Sequence, residues 1–71
     1  MYHVDTKELR IAMIQAGIDS IVELSEKTTV NRNTLGDILN GKIFPSSDVM
    51  VKIGETLSLP PEKCGAIFFS R

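Results

Sequence analysis

The chain has one cysteine, Cys64, one histidine, His3, and no tryptophan. A single cysteine rules out an internal disulfide framework and suits a reducing cytosol. A single histidine, placed ahead of the first helical pattern, leaves no His/Cys set with metal-ligand spacing. Paired carboxylates, a Gly-rich phosphate loop and a nucleophile–base arrangement are also missing, so neither enzymatic activity nor a bound cofactor is expected. There is no run of about 18 apolar residues, and the first residues do not pair a charged segment with an apolar one. The expectation is a soluble, cytoplasmic protein with no membrane partner. Strand-like alternation, internal repeats and low-complexity tracts are absent as well.

An excess of positive charge is the next thing lacking. Eight Lys and Arg stand against nine Asp and Glu, for a net charge of −1. Neutralised phosphates supply much of the affinity of duplex binding, so a nucleic-acid reader is expected to be basic. Residues 1–30 carry Lys7, Arg10 and Lys27 against Asp5, Glu8, Asp19, Glu23 and Glu26, a balance of −2. Residues 31–45 carry Arg32 and Lys42 against Asp37, a balance of +1.

What is present is a strongly helical pattern. With 71 residues and a hydrophobic fraction of 42%, the chain reads as one globular all-α domain spanning residues 1–71. A first helix starts at Asp5, with Glu8 completing a capping box and Val4 placed to staple Leu9. Leu9, Ala12, Met13 and Ala16 share one face, Ile11 and Ile14 lie off it, and Gly17 closes the helix. Ser46 or Ser47 caps a fourth helix whose inward stripe is Val49, Met50, Ile53 and Leu57. Pro61 suits the first position of a fifth helix. That helix carries Cys64, Ile67 and Phe68 on one side, with Phe69 just beyond.

The stretch between, IVELSEKTTVNRNTLGDILN over residues 21–40, reads as two short helices and a tight turn. Ser20 with Glu23 opens the second helix, from about Ile21 to Lys27. Asn31 caps the third, from about Arg32 to Leu39, and Asn40-Gly41 ends it. Leu24, Val30, Leu35 and Ile38 are spaced to pack inward. Asn31, Arg32, Asn33, Gly36, Asp37 and Asn40 are expected to face out.

From Leu9 to about Cys64, and not in this stretch alone, the sequence resembles the Cro/CI-type helix-turn-helix family of phage and bacterial regulators. The resemblance rests on Leu24, the run Val30 to Leu35, Ile38, the Leu39-Asn40-Gly41-Lys42 loop, Pro45 and the run VMVKIGETLSLPPEKC. It implies a compact five-helix bundle of the lambda-repressor-like kind, with the start of the third helix entering the major groove. By position it puts Arg32 and Asn33 at the bases, Asp37 one turn later, and Asn31, Asn40 and Lys42 near phosphates. Arg and Asn can pair bidentately with guanine and adenine respectively. The chain departs from the family at Ile21, where Gln is frequent, and at Ser25 and Thr29, where small Ala and Gly are usual. Ser25 is small, and Thr29 need not take a positive φ. Asp37 places a carboxylate on the reading face, where it would repel phosphate.

The sequence is also similar to the small modulator-of-repression proteins of temperate lactococcal phages, which work opposite a lysogenic repressor. This resemblance implies a regulator, in a host bacterial cell, that binds a phage-type repressor protein and alters its DNA binding. Asp19, Glu23 and Glu26 would then meet the repressor's basic DNA-binding surface, although an acidic helical face is also what plain solvation produces. Ile21 and Val22 either pack on the first helix or form an exposed apolar contact. Phe68 and Phe69 are hard to bury together, which leaves Phe69 for self-association or a partner. The alternative is an autonomous Cro-like repressor that binds operator DNA through its third helix as a dimer.

Overall fold

Every helix in the chain begins where a side chain or a proline removes the problem of unpaired amides. The computed structural model describes residues 1–71 and contains five helices and no strands: α1 (Thr6–Gln15), α2 (Ile21–Thr28), α3 (Arg32–Leu39), α4 (Ser47–Thr56) and α5 (Pro61–Phe68). Asp5 accepts from the Glu8 amide at 3.1 Å, Ser20 from the Glu23 amide at 3.1 Å, and Ser46 from the Val49 amide at 3.3 Å. Asn31 accepts from the Asn33 amide at 2.8 Å, and Pro61 occupies the first turn of α5, where an amide is not needed. Ser46, not Ser47, is the cap of α4, and α2 runs one residue past Lys27 to Thr28.

The helices bury their apolar stripes in one core. Leu9, Leu24, Leu35, Ile38, Ile53, Ile67 and Phe68 are fully buried there, and Val4, Ala12, Met13 and Val30 complete its edges. Helix α1 packs on α3 and α5, α2 packs on α3 and α4, and α4 packs on α5. The expected face of α1 needs one correction. Ala16 is exposed, because α1 stops at Gln15 and the chain turns away at Gly17, whose φ is 76°. Ile18 takes the inward place instead: its amide donates back to the Met13 carbonyl at 2.9 Å and its side chain is buried. Ile11 and Ile14 stay outside the core, with Ile14 70% exposed. In the α4 stripe Ile53 and Leu57 are buried, while Val49 and Met50 are only half-buried against the core.

The ends of the chain meet. His3 and Ser70 exchange two backbone hydrogen bonds, at 2.9 and 3.1 Å, and the Asp5 amide donates to the Ile67 carbonyl at 2.7 Å. Asp5 therefore caps α1 with its side chain while its own amide is used by α5. Within this clasp Val4 is buried in the same core as Phe68. No helix is long and apolar enough to cross a membrane.

Packing of this kind makes the burial of single side chains decisive. Leu24→Ala is expected to lower unfolding free energy by about 2–4 kcal/mol, through lost transfer energy and a residual cavity. Ile14→Ala, on the exposed side of α1, is expected to change it by less than about 0.5 kcal/mol. Urea unfolding followed by circular dichroism checks both.

Candidate functional site

The surface of interest is set by how α2 and α3 are joined. Only Thr29, Val30 and Asn31 separate them, and the turn is held by hydroxyl groups. The Thr28 hydroxyl, buried, donates to the Leu24 carbonyl at 2.7 Å and accepts from the Val30 amide at 3.2 Å. The Ser25 hydroxyl donates to the Val30 carbonyl at 2.6 Å. The Thr29 amide donates to the Ser25 carbonyl at 2.8 Å. No buried side-chain polar atom is left unpaired, which is what a tight turn over a core requires.

Two sequence expectations change here. Thr29 does take a positive φ, 61°, in the left-handed region. With only three residues between the helices, the turn imposes this conformation on a β-branched residue that ordinarily avoids it. Ser25 is more than a tolerated small residue, because its hydroxyl closes the turn.

Helix α3 presents its polar residues unevenly. Asn31, Arg32 and Asn33, at its N-terminus, are exposed, as are Asn40 and Lys42 beyond its other end. Asp37 and Gly36 were expected to face out, yet both are only partly exposed. Gly36 lies beside α2, where an added Cβ would sit 4.0 Å from the Ile21 side chain. Ile21 is correspondingly half-buried against the core, whereas Val22 is 47% exposed. The expected apolar pair thus splits, one residue packing and one facing solvent. Arg32 is the only cationic residue within α3.

Arg10, on α1, is a contributor that sequence spacing did not single out. Its guanidinium donates to the Leu39 carbonyl at 3.0 Å and to the Asn40 side-chain oxygen at 3.4 Å. It therefore satisfies the C-terminal end of α3, where a cation also suits the helix dipole, and it ties Asn40 to the scaffold. No sequence signal links residues 30 apart in this way.

Beside Arg10 the ends of α1 and α3 and the start of α2 enclose a groove of about 330 Å³ whose apolar lining includes Ile14, Ile18, Ile21 and Leu39. Asp19 stands on its rim, and along α2 Glu26 is exposed and Glu23 partly so. The sole ion pair in the molecule is Lys52–Asp48, 3.3 Å apart on α4, so none of these three carboxylates is held in an ion pair. Phe69 is 46% exposed and lies away from this groove, among the rings at the chain's meeting ends. No set of three His, Cys, Asp or Glu side chains is grouped to hold a metal ion. Cys64, the lone thiol, is half-buried between α4 and α5, with Sγ 3.9 Å from the Leu59 carbonyl. The chain matches no known family, no curated protein and no solved structure.

The strained turn carries a direct prediction. Thr29→Gly is expected to stabilise the protein by about 0.5–1 kcal/mol, since relief of left-handed strain on a β-branched residue outweighs the added freedom of the unfolded chain. A rise in thermal midpoint by calorimetry checks it, and a fall would mean that the Thr29 hydroxyl matters more than its backbone.

Proposed function

We propose that this protein is a non-enzymatic transcriptional regulator in a phage-type lysis–lysogeny switch, in which the α2–turn–α3 unit is a helix-turn-helix. On this reading it acts largely by binding a phage-type repressor protein and altering that repressor's hold on DNA. The observation that carries the proposal is the distribution of charge around the unit. Helix α3 offers one cation, Arg32, with Asp37 on the same short helix, whereas Asp19, Glu23 and Glu26 go unpaired beside an apolar groove and the exposed Val22. A duplex repels the second surface, and the basic DNA-binding face of a repressor complements it. Ile21 supports the same reading. A side chain packed against Gly36 is apolar where phosphate contact calls for a donor.

The second reading is an autonomous Cro-like repressor. It is favoured by the exposed Asn31, Arg32 and Asn33 at the start of α3, where Arg and Asn can reach base edges. One small module makes few phosphate contacts, so this reading requires a dimer on a two-fold site.

Titration against promoter DNA at two salt concentrations, with and without the neighbouring repressor, separates the two. Weak binding alone, together with a clear change in the repressor's own binding curve, is the expected result. Specific binding by the protein alone that falls steeply with salt would overturn it. Under the partner reading, Glu23→Gln combined with Glu26→Gln slows association with the repressor at low salt. Under the operator reading, Arg32→Ala instead costs about 1–3 kcal/mol of DNA affinity and relaxes sequence preference.

A further inference from the structure

Two exposed patches of opposite charge lie toward the two ends of α1. At its N-terminal end Tyr2, Phe44 and Phe69 form a cluster of rings, each close to half exposed. Phe69 stands edge-on to Tyr2, with ring centres 5.4 Å apart, and tilted to Phe44 at 6.0 Å. The Arg71 guanidinium sits 5.1 Å from the centre of the Tyr2 ring and donates to its hydroxyl at 2.9 Å. The adjoining groove includes Lys42 and Ile43 and has no side-chain carboxylate in its lining. The core does not need these rings, because Phe68 already closes it. Aromatic side chains with arginine are the types that dominate protein–protein contacts.

The other patch lies about 12 Å further along α1, by helical rise from Thr6 to Ile14. There Ile14 and Asp19 line one groove, and on α2, which begins at that groove with Ile21, Val22 and Glu26 are exposed and Glu23 partly so. Arg10 lines the groove with Asp19 and Lys27 lies on α2, so three carboxylates stand against two cations here, and none of the three is in an ion pair.

We propose that the aromatic patch seats the acidic α1–α2 face of a second copy of this chain, so that the protein self-associates head to tail. Charge complementarity selects this occupant. Two aromatic patches facing each other would oppose Lys42 and Arg71 to their own copies, whereas the acidic face brings Asp19 and Glu26 to them and offers Val22 and Ile14 to the rings. The contact is heterologous, so each pair keeps one free face of each kind and can add further copies. It uses the same acidic face that the repressor reading uses, so self-association and repressor binding exclude each other there. The pairing itself requires no repressor.

Sedimentation equilibrium of the full chain over a range of concentrations, at low and high salt, tests this. The expected result is a weight-average mass that rises with protein concentration and falls with added salt. Phe69→Ser, and separately the double variant Asp19→Lys/Glu26→Lys, each weaken association by about tenfold or more. Mixing these two blocked proteins is the decisive arm. One keeps its acidic face and the other its aromatic patch, so together they form a single 1:1 pair although neither associates alone. Phe44→Ser replaces Phe69→Ser if circular dichroism shows the latter to be unfolded. A monomer at every concentration, association indifferent to the charge reversal, or blocked variants that ignore each other would overturn the proposal. A mixture that pairs while the repressor's DNA binding stays unchanged would sink the repressor reading alone.

Discussion

A chain that turns between two helices over three residues must satisfy from within the backbone polar groups that it buries, here around Thr28 and Val30. Thr28 meets that constraint with one hydroxyl that both donates to Leu24 and accepts from Val30, and Ser25 closes the other side. The rest of the molecule follows from the geometry this fixes. Leu24 on α2 and Leu35 and Ile38 on α3 converge on the core. Helix α4 then packs on α2, and α1 on α3. The outward face of α3 is a by-product of how its inward face is held.

Charge distinguishes the surfaces that result. Arg10 is engaged in hydrogen bonds at the end of α3, and the carboxylates after α1 and along α2 form no ion pair with it. At the other end Lys42 and Arg71 lie beside aromatic rings. A chain of nearly zero net charge thus carries two unlike fields, and the composition alone conceals this. Interaction with a protein surface exploits such a division, whereas a uniform polyanion engages only one half of it.

Much of the architecture was legible in the sequence, because helix boundaries are written locally. Asp5, Ser20, Asn31, Ser46 and Pro61 each announce a start within four residues of the amides they serve. Gly17 and Gly41, at φ 76° and 73°, announce stops. Features that depend on distant residues were not legible. The positive φ of Thr29 comes from the short turn and the helices on either side of it, and nothing in a threonine advertises it. Arg10 reads as an ordinary solvated cation until α3 is laid against α1. The exposure of Ala16 reversed an expectation drawn from helical period, since period stops counting once the helix ends at Gln15, and Ile18 takes the inward place. At the surface, the sequence marked Asn31, Arg32 and Asn33 as exposed, but it could not show that Gly36 and Asp37 are partly covered or that Ile21 and Val22 part company.

The clasp between His3 and Ser70 has a kinetic side. Most contacts in a bundle of short helices join near neighbours in sequence, and such topologies fold fast. These two hydrogen bonds instead join residues almost a full chain length apart, so forming them carries close to the largest loop-closure entropy the chain can incur. The clasp is therefore best made last, on a scaffold already collapsed by the local helices, and it is the natural first point of opening. Val4 and Phe68, each close in sequence to the clasp, are both buried in the core, so its opening bears on the core from both ends. The first and last residues of the chain share one fate.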